Sequence, residues 1–255
     1  MSKLQRPIVL IRGLVREQRH WGDFSKLLQQ AFPERLILSF DTPGNGLLCH
    51  LTSADTIADM RQSLRVQLKL TNANIDSVDI VAISLGGMLA VDWATHFSHE
   101  VNSLVLINSS NAQFSPFYKR LNWRIYPQLF STVWSKSSID RQSKILRLTS
   151  NFPLKHQPVL ALWLKWAEQC PVSLKNAYLQ LKAAAAFKAP NKPKQALLVL
   201  NSREDKLVDA SCSLELARHW QADLKQHPTA GHDLPLDAPH WTVRQIQRWL
   251  NELSC

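Results

Sequence analysis

Three residues of this 255-residue chain have the types and settings that breaking an acyl bond by nucleophilic attack requires. Ser84 stands in Ala82-Ile83-Ser84-Leu85-Gly86-Gly87, directly after the apolar run Val78 to Ile83 and ahead of a helix-forming stretch. A serine on so tight a strand-to-helix turn is pushed clear of the backbone, and the turn needs small residues two positions away on either side. Ala82 takes the first of those positions, where glycine is usual, and Gly86 the second. Read by itself, such a serine is as readily a helix cap. A serine alcohol becomes a useful nucleophile only with a base in reach. Of nine histidines, His232 in Ala230-Gly231-His232-Asp233 suits that task, in a loop between the short strand-like stretch Leu224 to His227 and the last helix. The bland alternative is a loop histidine bonded to Asp233.

The base in turn needs a carboxylate that holds its tautomer and stabilises the imidazolium formed during attack. Asp205, in Asn201-Ser202-Arg203-Glu204-Asp205, comes directly off the apolar run Ala196 to Leu200 and is the candidate. Glu204 and Asp209 compete for the role; the first reads as a solvated neighbour and the second as the cap of the next helix. The developing oxyanion needs a pair of backbone N–H donors. The amide of Leu85 supplies one. The loop after the first strand, Arg12-Gly13-Leu14, supplies the other from Leu14, with Gly13 letting the backbone turn inward.

These groups have to be held by a scaffold, and the chain alternates strand-like and helix-like segments as parallel strands with crossover helices do. Ile8 to Ile11, Leu36 to Phe40, Val78 to Ile83, Val101 to Ile107 and Ala196 to Leu200 read as strands. Helices are expected from about Trp21 to Ala31, Ser53 to Leu70, Met88 to Phe97, Ala210 to Trp220 and His240 to Leu253, by the spacing of their apolar residues. The spacing divides the chain into a core over 1–111 and 191–255 and an insertion over 112–190. Within the insertion no good strand appears, and three or four helices broken by Pro127, Pro153, Pro158 and Pro171 are expected. Trp123, Trp134, Trp163 and Trp166 lie there; Trp163 and Trp166, with Trp21, are candidates for the wall of a substrate pocket.

The formal charge is +10, and the insertion carries twelve basic against two acidic residues, so the core is neutral. That charge is either a solvated face or a docking surface for an acidic partner. With no helix-turn-helix, zinc finger or aromatic RNA-binding motif in view, nucleic acid is not the expected partner. Cys49, Cys170, Cys212 and Cys255 are far apart and form no metal-binding spacing. No apolar run reaches the roughly 18–20 residues of a membrane span and no signal-peptide pattern is read, so a soluble protein is expected; the scattered cysteines fit a reduced, cytoplasmic setting.

Taken together, the motifs resemble the α/β-hydrolase fold over essentially the whole length. The order serine, acid, histidine matches, Asp41-Thr42-Pro43-Gly44-Asn45-Gly46 is similar to that family's D-x-P-G-x-G loop, and Trp21 matches an aromatic that opens its first helix. Arg12 departs from it, standing where a histidine is frequent. The resemblance implies a mostly parallel sheet flanked by helices and an inserted helical cap over the active site. It implies a serine hydrolase acting on a small-molecule carboxylic ester or thioester, with no metal or organic cofactor. Amide, peptide or carbon–carbon hydrolysis, or a non-catalytic binding role, remain open on the same fold. In size, elbow and order of the three groups the chain also resembles the pimeloyl-carrier-protein methyl ester esterases, which implies an acidic acyl carrier protein docking on the basic cap.

Overall fold

A parallel strand covered on both faces must be apolar along its whole length, and every residue of Val78–Ile83 is buried. In the computed structural model, which describes residues 5–71, 75–189 and 191–253, this strand lies inside a six-stranded sheet. The strands are β1 (Gln5–Ile11), β2 (Arg35–Phe40), β3 (Val78–Ile83), β4 (Val101–Ile107), β5 (Ala196–Ser202) and β6 (Asp223–His227). Their order is β2-β1-β3-β4-β5-β6, with every neighbouring pair parallel. The single carboxylate within β3, Asp79, is balanced by the Arg35 guanidinium and by Asn102 and Ser103, which donate to its Oδ1.

Five core helices alternate with the strands: α1 (Asp23–Ala31), α2 (Ile57–Leu70), α3 (Leu85–His96), α9 (Ser211–Trp220) and α11 (Pro239–Glu252), with the short α10 (Leu234–Asp237) before the last. Alternate side chains of each strand point to opposite faces, so the sheet divides two cores. Val9, Ile80, Leu104 and Val199 pack against α2, α3 and α9. Ile8, Leu10, Val105 and Leu198 pack against α1 and α11. Several helix starts differ from the periodicity. Gly22, at φ +52°, separates a 3-10 turn over Gln18–Trp21 from α1. Thr56 caps α2 by accepting from the Asp59 amide, which delays that helix past Ser53. α3 begins at Leu85, immediately after Ser84 and ahead of the expected Met88.

Between β4 and β5 lie α4 (Phe117–Arg120), α5 (Tyr126–Val133), α6 (Ser138–Thr149), α7 (Val159–Gln169) and α8 (Leu174–Ala186). Five helices thus stand where three or four were expected. Pro127 does not break a helix: it sits in the first turn of α5, where the missing N–H has no partner to lose. Pro158 likewise caps α7. The expected limit of the insertion at Pro190, and the chain ends at 1–4 and 254–255, lie outside the described residues. No helix among the described residues is long and apolar enough to cross a membrane.

Candidate active site

Ser84 has φ +57° and ψ −122°. That backbone costs a residue with a side chain about 1–3 kcal/mol, so it persists only where the surroundings over-determine it. Here the Ser84 amide donates to Ile107 O at 2.9 Å, and Ser84 O accepts from Ser109 Oγ at 2.8 Å and from the Gly87 amide at 2.9 Å. A Cβ on Gly86 would stand 2.6 Å from Arg12 O and closer still to Ile11 O, so β1 and the start of α3 touch backbone to backbone. Ala82, fully buried between Ile11 and Leu106 of the neighbouring strands, occupies its position without disturbing the turn.

Asp205 and His232 emerge at the same edge of the sheet. His232 Nδ1 lies 2.7 Å from Asp205 Oδ2, with both side chains buried. A carboxylate only accepts, so this contact places a proton on Nδ1. Asp205 Oδ1 accepts from the Leu207 and Val208 amides at 2.8 and 3.0 Å, which fixes the carboxylate. Of its competitors, Glu204 is exposed, and Asp209 accepts from the Ser211 amide at the start of α9. Asp233 does not hold His232; its carboxylate forms a two-pronged ion pair with Arg12 at 3.1 and 2.5 Å. Arg12, unusual by its motif, therefore ties the end of β1 to the histidine loop.

The Leu14 and Leu85 amides are not taken up by any hydrogen bond within the described chain. Gly13 lies against Ser84, where an added Cβ would meet Ser84 Cβ at 3.0 Å. The turn beyond it is held by the insertion: Val15, at φ +50°, donates its amide to Gln180 Oε1 at 2.9 Å, and fully buried Gln180 donates in turn to Ser53 Oγ. Asp41 accepts from the Gln18 and Leu47 amides, while Gly44 and Gly46 adopt φ +88° and +49°, so the Asp41–Gly46 loop is a turn that braces this region.

Ser84 and His232 open into one cavity of about 410 Å³, walled by apolar side chains of β1's loop and of the insertion, among them Leu14, Leu129, Ile145 and Leu181. No hydrogen bond joins Ser84 Oγ to His232 among the described residues; serine–histidine contacts of this kind commonly tighten only with substrate in place. The tryptophans expected in the pocket wall stand elsewhere. Trp21 is buried against Phe24 beneath the Arg12 guanidinium. Trp163 and Trp166 line an adjoining cavity of about 260 Å³ together with His20. Burial, and then Arg16 and Arg12, hold His20 well below the ordinary histidine value, so it is neutral. Among the described residues no group of three or more His, Cys, Asp or Glu is placed to hold a metal ion.

Residues 8–245 match the sequence model of the alpha/beta hydrolase family. The chain belongs to that family. A search of curated proteins found no match. Among solved structures, the family fold recurs in a meta-cleavage product hydrolase from Pseudomonas fluorescens IP01 (TM-score 0.78, 18% identity, 97% of this chain and 91% of that one). It recurs in the enol-lactonase from Burkholderia xenovorans LB400 (0.74, 17%, 97% and 92%) and in a thermophilic esterase from Thermogutta terrifontis (0.70, 17%, 98% and 91%). At these identities the likeness is one of fold.

Within this family member, several groups at the site carry no motif of their own. Asn108, at φ +46° after β4, donates to His232 O at 2.8 Å and accepts from the Ser202 amide, latching the histidine loop to two strand ends. Asp237 accepts from Ser150 Oγ and from the Asn151 and Gly231 amides, and faces His156 Nε2 at 3.3 Å. It thereby joins the insertion to the residue before His232. Burial would raise its carboxyl pKa, but these four partners outweigh burial and hold it below the usual value. The only signal for Asp237 and Gln180 in the sequence is that a polar residue falls on an otherwise buried helix face.

Proposed function

We propose that this chain is a serine hydrolase that cleaves a carboxylic ester or thioester through Ser84, His232 and Asp205. The observation that carries the reading is the buried His232–Asp205 contact beside a strained Ser84 in one apolar cavity. His232 Nε2 takes the proton of Ser84 Oγ as Oγ attacks the acyl carbon. The tetrahedral oxyanion accepts from the Leu14 and Leu85 amides, each such donor contributing about 2.7–4 kcal/mol in a known case. His232 then hands its proton to the departing alkoxide or thiolate, leaving an acyl-Ser84 ester. Water, deprotonated by His232, then attacks the acyl carbon; as this second tetrahedral intermediate collapses the bond to Ser84 Oγ breaks, His232 returns the proton to Oγ, and the acid is released. Asp205 stays ionised and stabilises the imidazolium in both halves.

The test is turnover of short p-nitrophenyl esters together with labelling by a fluorophosphonate. Wild-type protein should show both, and Ser84→Ala neither; ester turnover retained in Ser84→Ala would refute the assignment. The helical insertion then serves as the cap. Eight of its twelve basic residues are exposed and have no salt-bridge partner among the described residues, which favours delivery of the acyl group on an acidic carrier protein. On that reading KM for a carrier-bound acyl ester rises with salt while KM for a small neutral ester does not.

A further inference from the structure

Arg16 is a buried cation in the wall of the cavity that holds Ser84, and among the described residues no carboxylate hydrogen-bonds or ion-pairs with it. Its neighbours are all engaged: Arg12 with Asp233, and Arg19 with Glu17 at 2.5 Å. Arg16 is 9% exposed, its Nη2 is buried with no hydrogen-bond partner among the described residues, and its guanidinium lies over the face of Trp163, 4.0 Å from the ring centre. Burial, followed by the charge of Arg12, pushes its pKa down to about 9 against the pull of Asp233 and Glu17, whose carboxylates are already paired with Arg12 and Arg19, so it remains charged at neutral pH in poorly solvating surroundings.

A buried arginine with a structural role looks different in this same protein. Arg120 donates to Ser110 Oγ, Ala185 O and Ala184 O. Arg16 makes none of these bonds, and a cation–π contact contributes only about 0.5–2 kcal/mol. Its position is also telling. Together with Val15, Thr132 and Ile145 it forms the wall shared by the cavity that holds Ser84 and the adjoining one lined by Trp163 and His20.

We propose that Arg16 binds a carboxylate carried by the substrate, so that the chain cleaves esters or thioesters with an apolar segment at the scissile bond and a free carboxylate at the far end. This rests on the serine-hydrolase reading above. A monoanion is favoured over a phosphate because a single unanswered positive charge neutralises it, whereas a dianion would leave a negative charge buried in apolar surroundings. A guanidinium also meets a carboxylate as a planar fork.

The experiment compares p-nitrophenyl hexanoate with the p-nitrophenyl half-ester of adipic acid, whose acyl chain has the same length and ends in a carboxylate. A second pair, hexyl acetate and 6-acetoxyhexanoate, moves the carboxylate to the alcohol side. The readout is the ratio of kcat/KM for the charged over the neutral ester within each protein, which cancels general damage to the fold. Arg16→Met should lower that ratio in at least one pair by roughly ten- to hundredfold, through KM, as expected for a lost charge-assisted hydrogen bond. Arg16→Lys should restore part of it. Ratios indifferent to Arg16 in both pairs overturn the proposal. Failure to hydrolyse any ester, or hydrolysis surviving in Ser84→Ala, fails the serine-hydrolase reading instead. The anion site is then read by calorimetry of the monoamide of adipic acid, a monoanion of the same length, and of inorganic phosphate on Ser84→Ala protein with and without Arg16→Met. Monoamide binding that disappears with Arg16 supports the proposal; no monoamide binding, monoamide binding that does not depend on Arg16, or phosphate bound in preference to it, overturns the proposal.

Discussion

Replacing Ser84 by glycine should make the protein more stable than replacing it by alanine, although both substitutions remove the hydroxyl. Ser84 sits at φ +57° and ψ −122°, a conformation that costs about 1–3 kcal/mol for any residue with a Cβ and nothing comparable for glycine. Alanine keeps the Cβ and therefore the strain. Glycine relieves it but loses about 0.4–1 kcal/mol through the greater freedom of the unfolded chain, which leaves about 1 kcal/mol in its favour. For a domain of this size that difference is about 2–4 °C in Tm. Equilibrium unfolding in guanidinium chloride and calorimetric melting of Ser84→Gly and Ser84→Ala, side by side, measure it. A Ser84→Gly protein no more stable than Ser84→Ala would show that the turn is not strained. The argument that its hydrogen bonds to Ile107, Ser109 and Gly87 hold an otherwise unfavourable backbone would then fail.

Three further outcomes follow from particular contacts. Asp205→Asn keeps an acceptor for the Leu207 and Val208 amides, so the fold should persist while kcat on a neutral ester falls by up to about 10⁴; a loss below tenfold would remove Asp205 from its role. Gln180→Leu strips the buried partner from the half-buried Val15 amide and should cost about 1 kcal/mol of stability and lower kcat more than it raises KM. An effect on KM alone would mean that the Leu14 turn does not present an oxyanion donor. Asp237, whose folded pKa lies below the usual 3.8, stabilises the protein above that value and loses this contribution as pH falls through its own lower pKa. Asp237→Asn should thus be less stable than wild type at neutral pH, with the gap closing in strong acid; a gap constant from pH 7 down to pH ~2 by urea unfolding contradicts an ionised carboxylate held by its hydrogen bonds.

The strands and the core helices were legible because their signals are local. A continuously apolar run such as Val78 to Ile83 has few alternatives to a doubly covered strand, and α2 and α11 show one apolar face each. The insertion was harder. A proline can end a helix or begin one, and the choice at Pro127 depends on what packs against Tyr126–Val133, which periodicity does not contain. The pocket wall was hard to read for a related reason. Trp163 and Trp166 have the size to wall a cavity, but which cavity depends on how α7 leans on the loop carrying Arg16 and His20.

By itself the sequence determined the family, the parallel α/β architecture and the three polar residues at strand ends, since each follows from spacing along the chain and chain order. The tertiary structure alone decided that His232 meets Asp205 and that Asp233 answers Arg12. It also decided that Gln180 and Asp237 of distant segments brace the site, and that Arg16 is buried with no carboxylate in hydrogen-bond reach among the described residues. Those are contacts between residues far apart in sequence. Their energies depend on burial and on which charges are already paired, and neither is a property of any stretch of chain taken alone.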